Sequence, residues 1–390
     1  MSRRLVPARP VLLAAGAVLL GLVSASPASA ATWRDTPAPT LGDRATTRIV
    51  GGTTLPDTTQ APYTVAIQTI FEGDNVGGCS GTILDPVHIL TAAHCVVEEN
   101  GTRATPDQVA VAAGAADVTS AAGRAAGTVR SVGTIRVHPR YTAGGFFDDV
   151  AVLTLAQPLD FSGPTVQPLA LADTGTVVAP GRNVRVTGFG ITAAKAGDYG
   201  RLRSATVDAV IGGSACSNNA PGAFLCTQGT NKGACSGDSG GTATIGSAAA
   251  RRVIGVTDIA DSNCRGLNFF ANVAAPEIRT FVDAAVGERD LTAAQTPVAP
   301  RSGKSSVKIA GTARVGRRVT CKRGSWTRGT TFRYAFLLDR GSRQRNRGFR
   351  TARTYELRSA DRGWKVFCAV RVSNAGGQGI SVAANSRTVR

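Results

Sequence analysis

From Ile49 to about Val273 the chain is a succession of short β-prone runs, each broken within a few residues by Gly, Pro, Asp or Asn. "YTVAIQTI" at 63–70, "VRSVGTIRVHP" at 129–139, "VAVLTLAQPL" at 150–159, "NVRVTGFG" at 183–190 and "RRVIGVT" at 251–257 are examples. Many short strands with frequent turn signals and almost no helical periodicity confine this stretch to an all-β barrel or sandwich. One segment breaks the pattern. In "APEIRTFVDAA", Ile278, Phe281, Val282 and Ala285 recur at helical spacing after a proline, which predicts an amphipathic helix closing the unit.

The polar, proline-bearing "GERDLTAAQTPVAPRSGKSS" then reads as a linker. Beyond it the alternation resumes in "RVTCKRGSW", "TFRYAFLLD", "RTYELRSA" and "KVFCAVRVS". Two folded units fit a length of 390 residues, more than one hydrophobic core usually organises, and 43% hydrophobic residues exclude a disordered chain.

The first thirty residues carry Arg3, Arg4 and Arg9, an apolar run from Val11 to Val23, and small residues at Ala28 and Ala30. This is the pattern of a secretory signal peptide cut after Ala30, with the Arg3–Arg4 pair leaving a twin-arginine route as the lesser alternative. The run is too short to span a membrane comfortably. Export makes the eight cysteines readable as disulfides, since thiols pair stably outside the cytoplasm. With three histidines and no close pair of Cys-x-x-Cys motifs, neither a metal nor a cofactor is expected.

The net charge of +18 is unevenly placed. Residues 301–390 hold 22 Lys and Arg against Asp339, Glu356 and Asp361, so this part carries the whole excess. A nearly neutral unit is joined to a strongly basic one, and such a surface suits anionic material: a cell-surface polymer, nucleic acid or a membrane surface.

Three segments could carry chemistry together. "GACSGDSGGT" at 233–242 sets Ser239 among glycines, which permit close approach of the main chain to a ligand. "LTAAHCVV" supplies His94, and "FFDDVAVLTL" supplies Asp149 directly before an apolar run. Amide hydrolysis by a serine needs a base for its proton, a group to orient that base, and donors for the oxyanion.

In the order His, Asp, Ser, these motifs resemble the chymotrypsin/trypsin-like serine peptidases, in a secreted bacterial form. The resemblance covers Ile49 to about Ala285 and implies a double β-barrel with a C-terminal helix. It makes Ser239 the nucleophile, His94 the general base and Asp149, in preference to Asp148, the orienting carboxylate. The N–H groups of Gly237 and Ser239 would form the oxyanion hole. "RIVGG" at 48–52 resembles the family's activation site, where another protease cuts after Arg48 and the freed ammonium of Ile49 pairs with Asp238. The family pattern also implies disulfides Cys79–Cys95, Cys216–Cys226 and Cys235–Cys264, which leaves Cys321 and Cys368 for the second unit. Gly233 would lie at the base of the primary pocket, with Ala260 and Asn268 on its walls. No carboxylate stands there, so uncharged residues should be preferred before the scissile bond.

Two departures stand out. "GGT" lacks the proline usual after the serine motif, and Asp258 falls where a small hydroxyl residue usually supports the catalytic aspartate, so that a second carboxylate near Asp149 should raise at least one pKa. The basic unit looks like bacterial immunoglobulin-like modules, although Val366 stands where many have the tyrosine of the tyrosine corner. The expected plan is a signal peptide (1–30), a pro-segment (31–48), a secreted serine endopeptidase acting on proteins or peptides (49–286), a linker (287–306) and a small disulfide-bonded β-sandwich (307–390). The competing expectation is a weak or inactive homologue that binds anionic surfaces.

Overall fold

The structure, a computed structural model, describes residues 33–34, 49, 51–71, 76–179, 181–193, 197–209, 224–260, 264, 267–293, 295, 306–326, 331–340, 343–374, 377–383 and 385–390. The predicted signal peptide, Arg48 and Cys216 lie outside these residues.

Six strands close the first barrel: β2 (Thr64–Ile70), β3 (Val76–Ile83), β4 (His88–Thr91), β5 (Val109–Ala113), β6 (Thr128–Val137) and β7 (Ala151–Leu155), in the order β2-β3-β4-β7-β6-β5. Closure comes from β2 pairing with both β3 and β5, as in Ile67 against Cys79 and Val111. Val65, Ile67, Ile89, Val109, Val111 and Leu153 fill the interior with no exposed surface. Burial of such β-branched and aliphatic side chains drives this closure, and a closed barrel has no free edges.

The second barrel comprises β8 (Asn183–Gly188), β9 (Arg203–Ala209), β10 (Phe224–Gln228), β11 (Thr242–Ile245), β12 (Arg252–Ala260) and β13 (Leu267–Asn272). Its order is β9-β10-β13-β12-β11-β8, and the pairing of β8 with β9 closes it. The two-residue strand β1 (Thr53–Thr54) pairs with β9, which hangs the start of the unit on the second barrel. The architecture is all-β with two closed six-stranded barrels, as expected. The helix Pro276–Val286 forms where predicted, and Ile278, Phe281, Val282 and Ala285 are buried in the core of the first barrel. It therefore crosses back from one barrel to the other.

Buried hydroxyls join the two barrels. Thr64 meets Thr187 at 2.8 Å and Thr82 meets Thr242 at 2.6 Å. Ser80 of β3 makes three bonds to the second barrel: its N–H donates to Ser239 O, its hydroxyl donates to Gly237 O, and that hydroxyl accepts from Phe189 N–H.

The C-terminal unit forms two sheets. β14 (Lys308–Ala310), β15 (Arg318–Lys322) and β18 (Thr354–Glu356) make one. β16 (Thr331–Arg340), β17 (Arg343–Asn346), β19 (Lys365–Asn374), β20 (Gly377–Val382) and β21 (Arg387–Thr388) make the other. Cys321 on β15 and Cys368 on β19 bridge the sheets over a core containing Phe336, Trp364 and Phe367. Ala179, from the loop before β8 in the two-barrel unit, is fully buried in that same core. No helix among the described residues is long and apolar enough to cross a membrane.

Candidate active site

A cleft of about 960 Å³ contains His94, Asp149 and Ser239 together, with Asp258, Ala260 and the Cys235–Cys264 disulfide on its wall. His94 sits in the one-turn helix Ala93–Cys95, just after β4, and the Cys79–Cys95 disulfide ties that turn to β3. Asp149 precedes β7, the neighbour of β4, so barrel pairing carries the two side chains to one end of adjacent strands.

The Asp149 carboxylate accepts twice from His94, at 2.8 Å from the backbone N–H and 2.5 Å from the ring Nδ1–H. Asp149 is 1% exposed. Burial alone would lower the imidazole pKa, but the charge and hydrogen bond of Asp149 outweigh it and raise the pKa. The choice of Asp149 over Asp148 has a backbone cause. Asp148 adopts φ +60°, a left-handed turn that aspartate tolerates, and the two consecutive carboxylates diverge. Asp148 points to the buried His138, 3.9 Å away, while Asp149 faces His94.

Ser239 stands in a loop shaped by glycine. Gly237 (φ +89°) and Gly240 (φ +77°) both take left-handed backbone, and a side chain at either would strike a neighbour. At Gly237 that neighbour is the Tyr199 ring, and at Gly240 it is Thr91 and the main chain of Ser80. The loop is thus pinned against the first barrel, with the single Tyr199 hydroxyl proton shared between Cys79 O (2.9 Å) and Ile67 O (3.0 Å).

Asp238 is fully buried beneath the loop, where Gly190 N–H (2.8 Å) and Cys235 N–H (2.9 Å) donate to its two oxygens. Desolvation pushes its pKa up to about 6 against those two bonds and the nearby Arg203 charge. Ile49 is also fully buried. Arg203, on the same floor, donates to Gly190 O at 2.5 Å and pairs with Asp198 at 3.0 Å.

The pocket residues divide. Ala260 lines the cleft, whereas Gly233 and Asn268 are buried and are not among its lining residues. The Asn268 carboxamide occupies the space a side chain at Gly233 would need, its Nδ2 lying 2.6 Å from an ideal Cβ there. Asn268 is therefore packed against Gly233 beneath the cleft. Cys226 is disulfide-bonded, and Cys216, its expected partner, lies outside the described residues.

Three contributors escape sequence reasoning. Ser80 and Tyr199 hold the serine loop from elsewhere in the chain, and nothing in their local sequence signals it. Phe146, 55% exposed on the cleft rim, is the large hydrophobic side chain left in solvent among the described residues, and the doubled phenylalanine before Asp148 was its visible sign.

Two closed barrels meeting at a cleft with a histidine, an aspartate and a serine define a chymotrypsin-like serine endopeptidase, whose substrates are proteins or peptides. Residues 49–282 match the family model described as Trypsin, and the chain belongs to that family. It is 32% identical over 220 residues to "Serine protease SP24D" of Anopheles gambiae, covering 56% of this chain and 73% of the relative. To "Vitellin-degrading protease" of Bombyx mori it is 29% identical over 231 residues, covering 57% and 76%. A third relative, "Glucanase inhibitor protein 3" of Phytophthora sojae (strain P6497), is 31% identical over 195 residues, covering 49% and 70%.

Proposed function

We propose that the chain is a secreted zymogen that, once cut after Arg48, hydrolyses peptide bonds with Ser239 as nucleophile, His94 as base and then acid, and Asp149 as orienting carboxylate. The reading rests on one observation: Asp149 holds His94 Nδ1 at 2.5 Å in the cleft that Ser239 also lines. Binding Nδ1–H leaves Nε2 as the basic nitrogen, the tautomer a general base needs. His94 removes the serine proton as Oγ attacks the carbonyl carbon. The resulting imidazolium then gives that proton to the leaving amine, and water repeats the cycle on the acyl-enzyme. The N–H groups of Gly237 and Ser239 receive the oxyanion.

Activation follows from the state of Asp238. A fully buried carboxylate with two N–H donors and only the nearby Arg203 charge in support keeps a raised pKa, and the ammonium released at Ile49 would give it a direct ion-pair partner. The neutral floor beneath the cleft, Gly233 and Asn268, with Ala260 above it, favours uncharged residues before the scissile bond, and Phe146 adds an apolar contact on the rim. Arg48 then needs a different protease for its cleavage. The basic unit, residues 307–390, is an immunoglobulin-like module that retains the enzyme on anionic polymers, whether cell-surface polymer or nucleic acid. Arg345 over Trp364 and Arg371 over Phe349 stack guanidinium groups on rings, and Arg345 also lies 4.0 Å from Asp361.

A serine-directed organophosphate should label the protein activated at Arg48 stoichiometrically, and Ser239→Ala should abolish labelling. A second reading, a homologue that binds without cutting, is favoured by Asp258 and by the relative named as a glucanase inhibitor. Absence of labelling after complete cleavage at Arg48 would decide for it.

A further inference from the structure

Asp258, in strand β12, is 5% exposed, and its carboxylate lies beside that of Asp149. A ring nitrogen of His94 and one carboxylate oxygen each of Asp149 and Asp258 all lie within 4.8 Å of one another. Two carboxylates can hydrogen-bond only if one carries a proton. Asp149 already accepts two N–H bonds from His94, and each favours its charged form. Asp258 has no such support: its Oδ2 is buried without a partner. An ionised Asp258 would be an uncompensated charge against another anion. The proton of the pair therefore belongs on Asp258.

We propose that Asp258 is a positioning residue for the catalytic dyad, held as a neutral carboxylic acid whose O–H donates to Asp149 and fixes that carboxylate toward His94. This rests on the serine peptidase reading above. Proton bookkeeping is simple: the Ser239 proton goes to His94 Nε2 and on to the leaving amine, while Asp258 keeps its own throughout. Desolvation, the Asp149 charge and the hydrogen bond to Asp149 push the Asp258 pKa up to about 10, so the acid form prevails through the neutral range. The groups facing it are Asp149, His94 and Tyr141, with Glu99 beyond Tyr141. Tyr141 is itself held protonated, chiefly by burial and then by the charge of Asp149.

The test compares full-length protein with its Asp258→Asn and Asp258→Ala variants by following the His94 titration in proton NMR. The chain has three histidines, so the assignment is tractable, and the readout needs no turnover. Asn keeps a donor and cannot ionise. If Asp258 is neutral, Asp258→Asn leaves the His94 midpoint within about half a pH unit of its starting value. If Asp258 is ionised at neutral pH, removing its charge lowers the midpoint by about one unit or more, and the proposal is overturned. In activated protein, Asp258→Ala should lower kcat by about tenfold or more with KM little changed, and Asp258→Asn should restore it. Equal kcat in the Ala variant would equally refute a positioning role. Failure of organophosphate labelling would instead overturn the peptidase reading and leave the NMR comparison to decide the proton.

Discussion

The two barrels furnish the cleft in unlike ways. The first contributes finished side chains, since His94 and Asp149 are joined by two hydrogen bonds and come from neighbouring ends of paired strands. The second contributes main chain. Its Gly237–Gly241 loop is shaped by left-handed glycines and by groups outside it, Ser80 and Tyr199, and the barrel carries two buried carboxylates, Asp238 in that loop and Asp258 in β12, whose pKa values are raised. The basic half is thus set by local pairing. The electrophilic half depends on how distant groups neutralise or hold a loop, which is the half a proteolytic switch could govern.

That contrast can be broken most severely at the first barrel. Asp149→Asn should lower kcat by about 10⁴-fold, because the imidazole loses its fixed tautomer, and steady-state kinetics on a peptide ester would show it. At the second barrel, Asp238→Asn should cost about 10²–10³-fold by misplacing the oxyanion donors, with the His94 titration unmoved. A shifted titration would mean that the halves are not separable. Ser80→Ala is expected to cost less. It strips the Gly237 carbonyl of a donor and the Phe189 N–H of an acceptor, so about 1–3 kcal/mol of stability should go in denaturant melts, with a modest fall in kcat.

The smallest effect sharpens the comparison through pH. Burial, the Asp149 charge and the hydrogen bond to Asp149 raise the folded pKa of Asp258 above its unfolded value, so the folded state holds one more proton between the two. Its contribution is complete below the unfolded pKa and is lost progressively as pH rises toward the folded one. Asp258→Asn should therefore raise Tm more at pH 9 than at pH 4. A pH-independent difference would argue against a buried neutral acid.

The fold was legible because alternation and turn residues mark strands locally: "NVRVTGFG" became β8 and "APEIRTFVDAA" the closing helix. Asp149 was legible because it stands directly before an apolar strand. Asp258 was noticed as a departure, but whether it faced Asp149 depended on the register of β12, which packing sets. The buried place of Asn268 depended on the β12–β13 pairing in the same way. Ser80 and Tyr199 were invisible, since their partners lie more than a hundred residues away and no periodicity encodes a bond between barrels.

Ala179 has a consequence beyond the cleft. A methyl group from the peptidase unit is counted among the interior atoms of the basic unit, beside a partly buried Val177. The boundary between the two is therefore not a tether alone. Cutting the chain near residue 300 would release no clean fragment, because each half would carry a bare patch where the other had been seated, and both should lose their structure over a common temperature range.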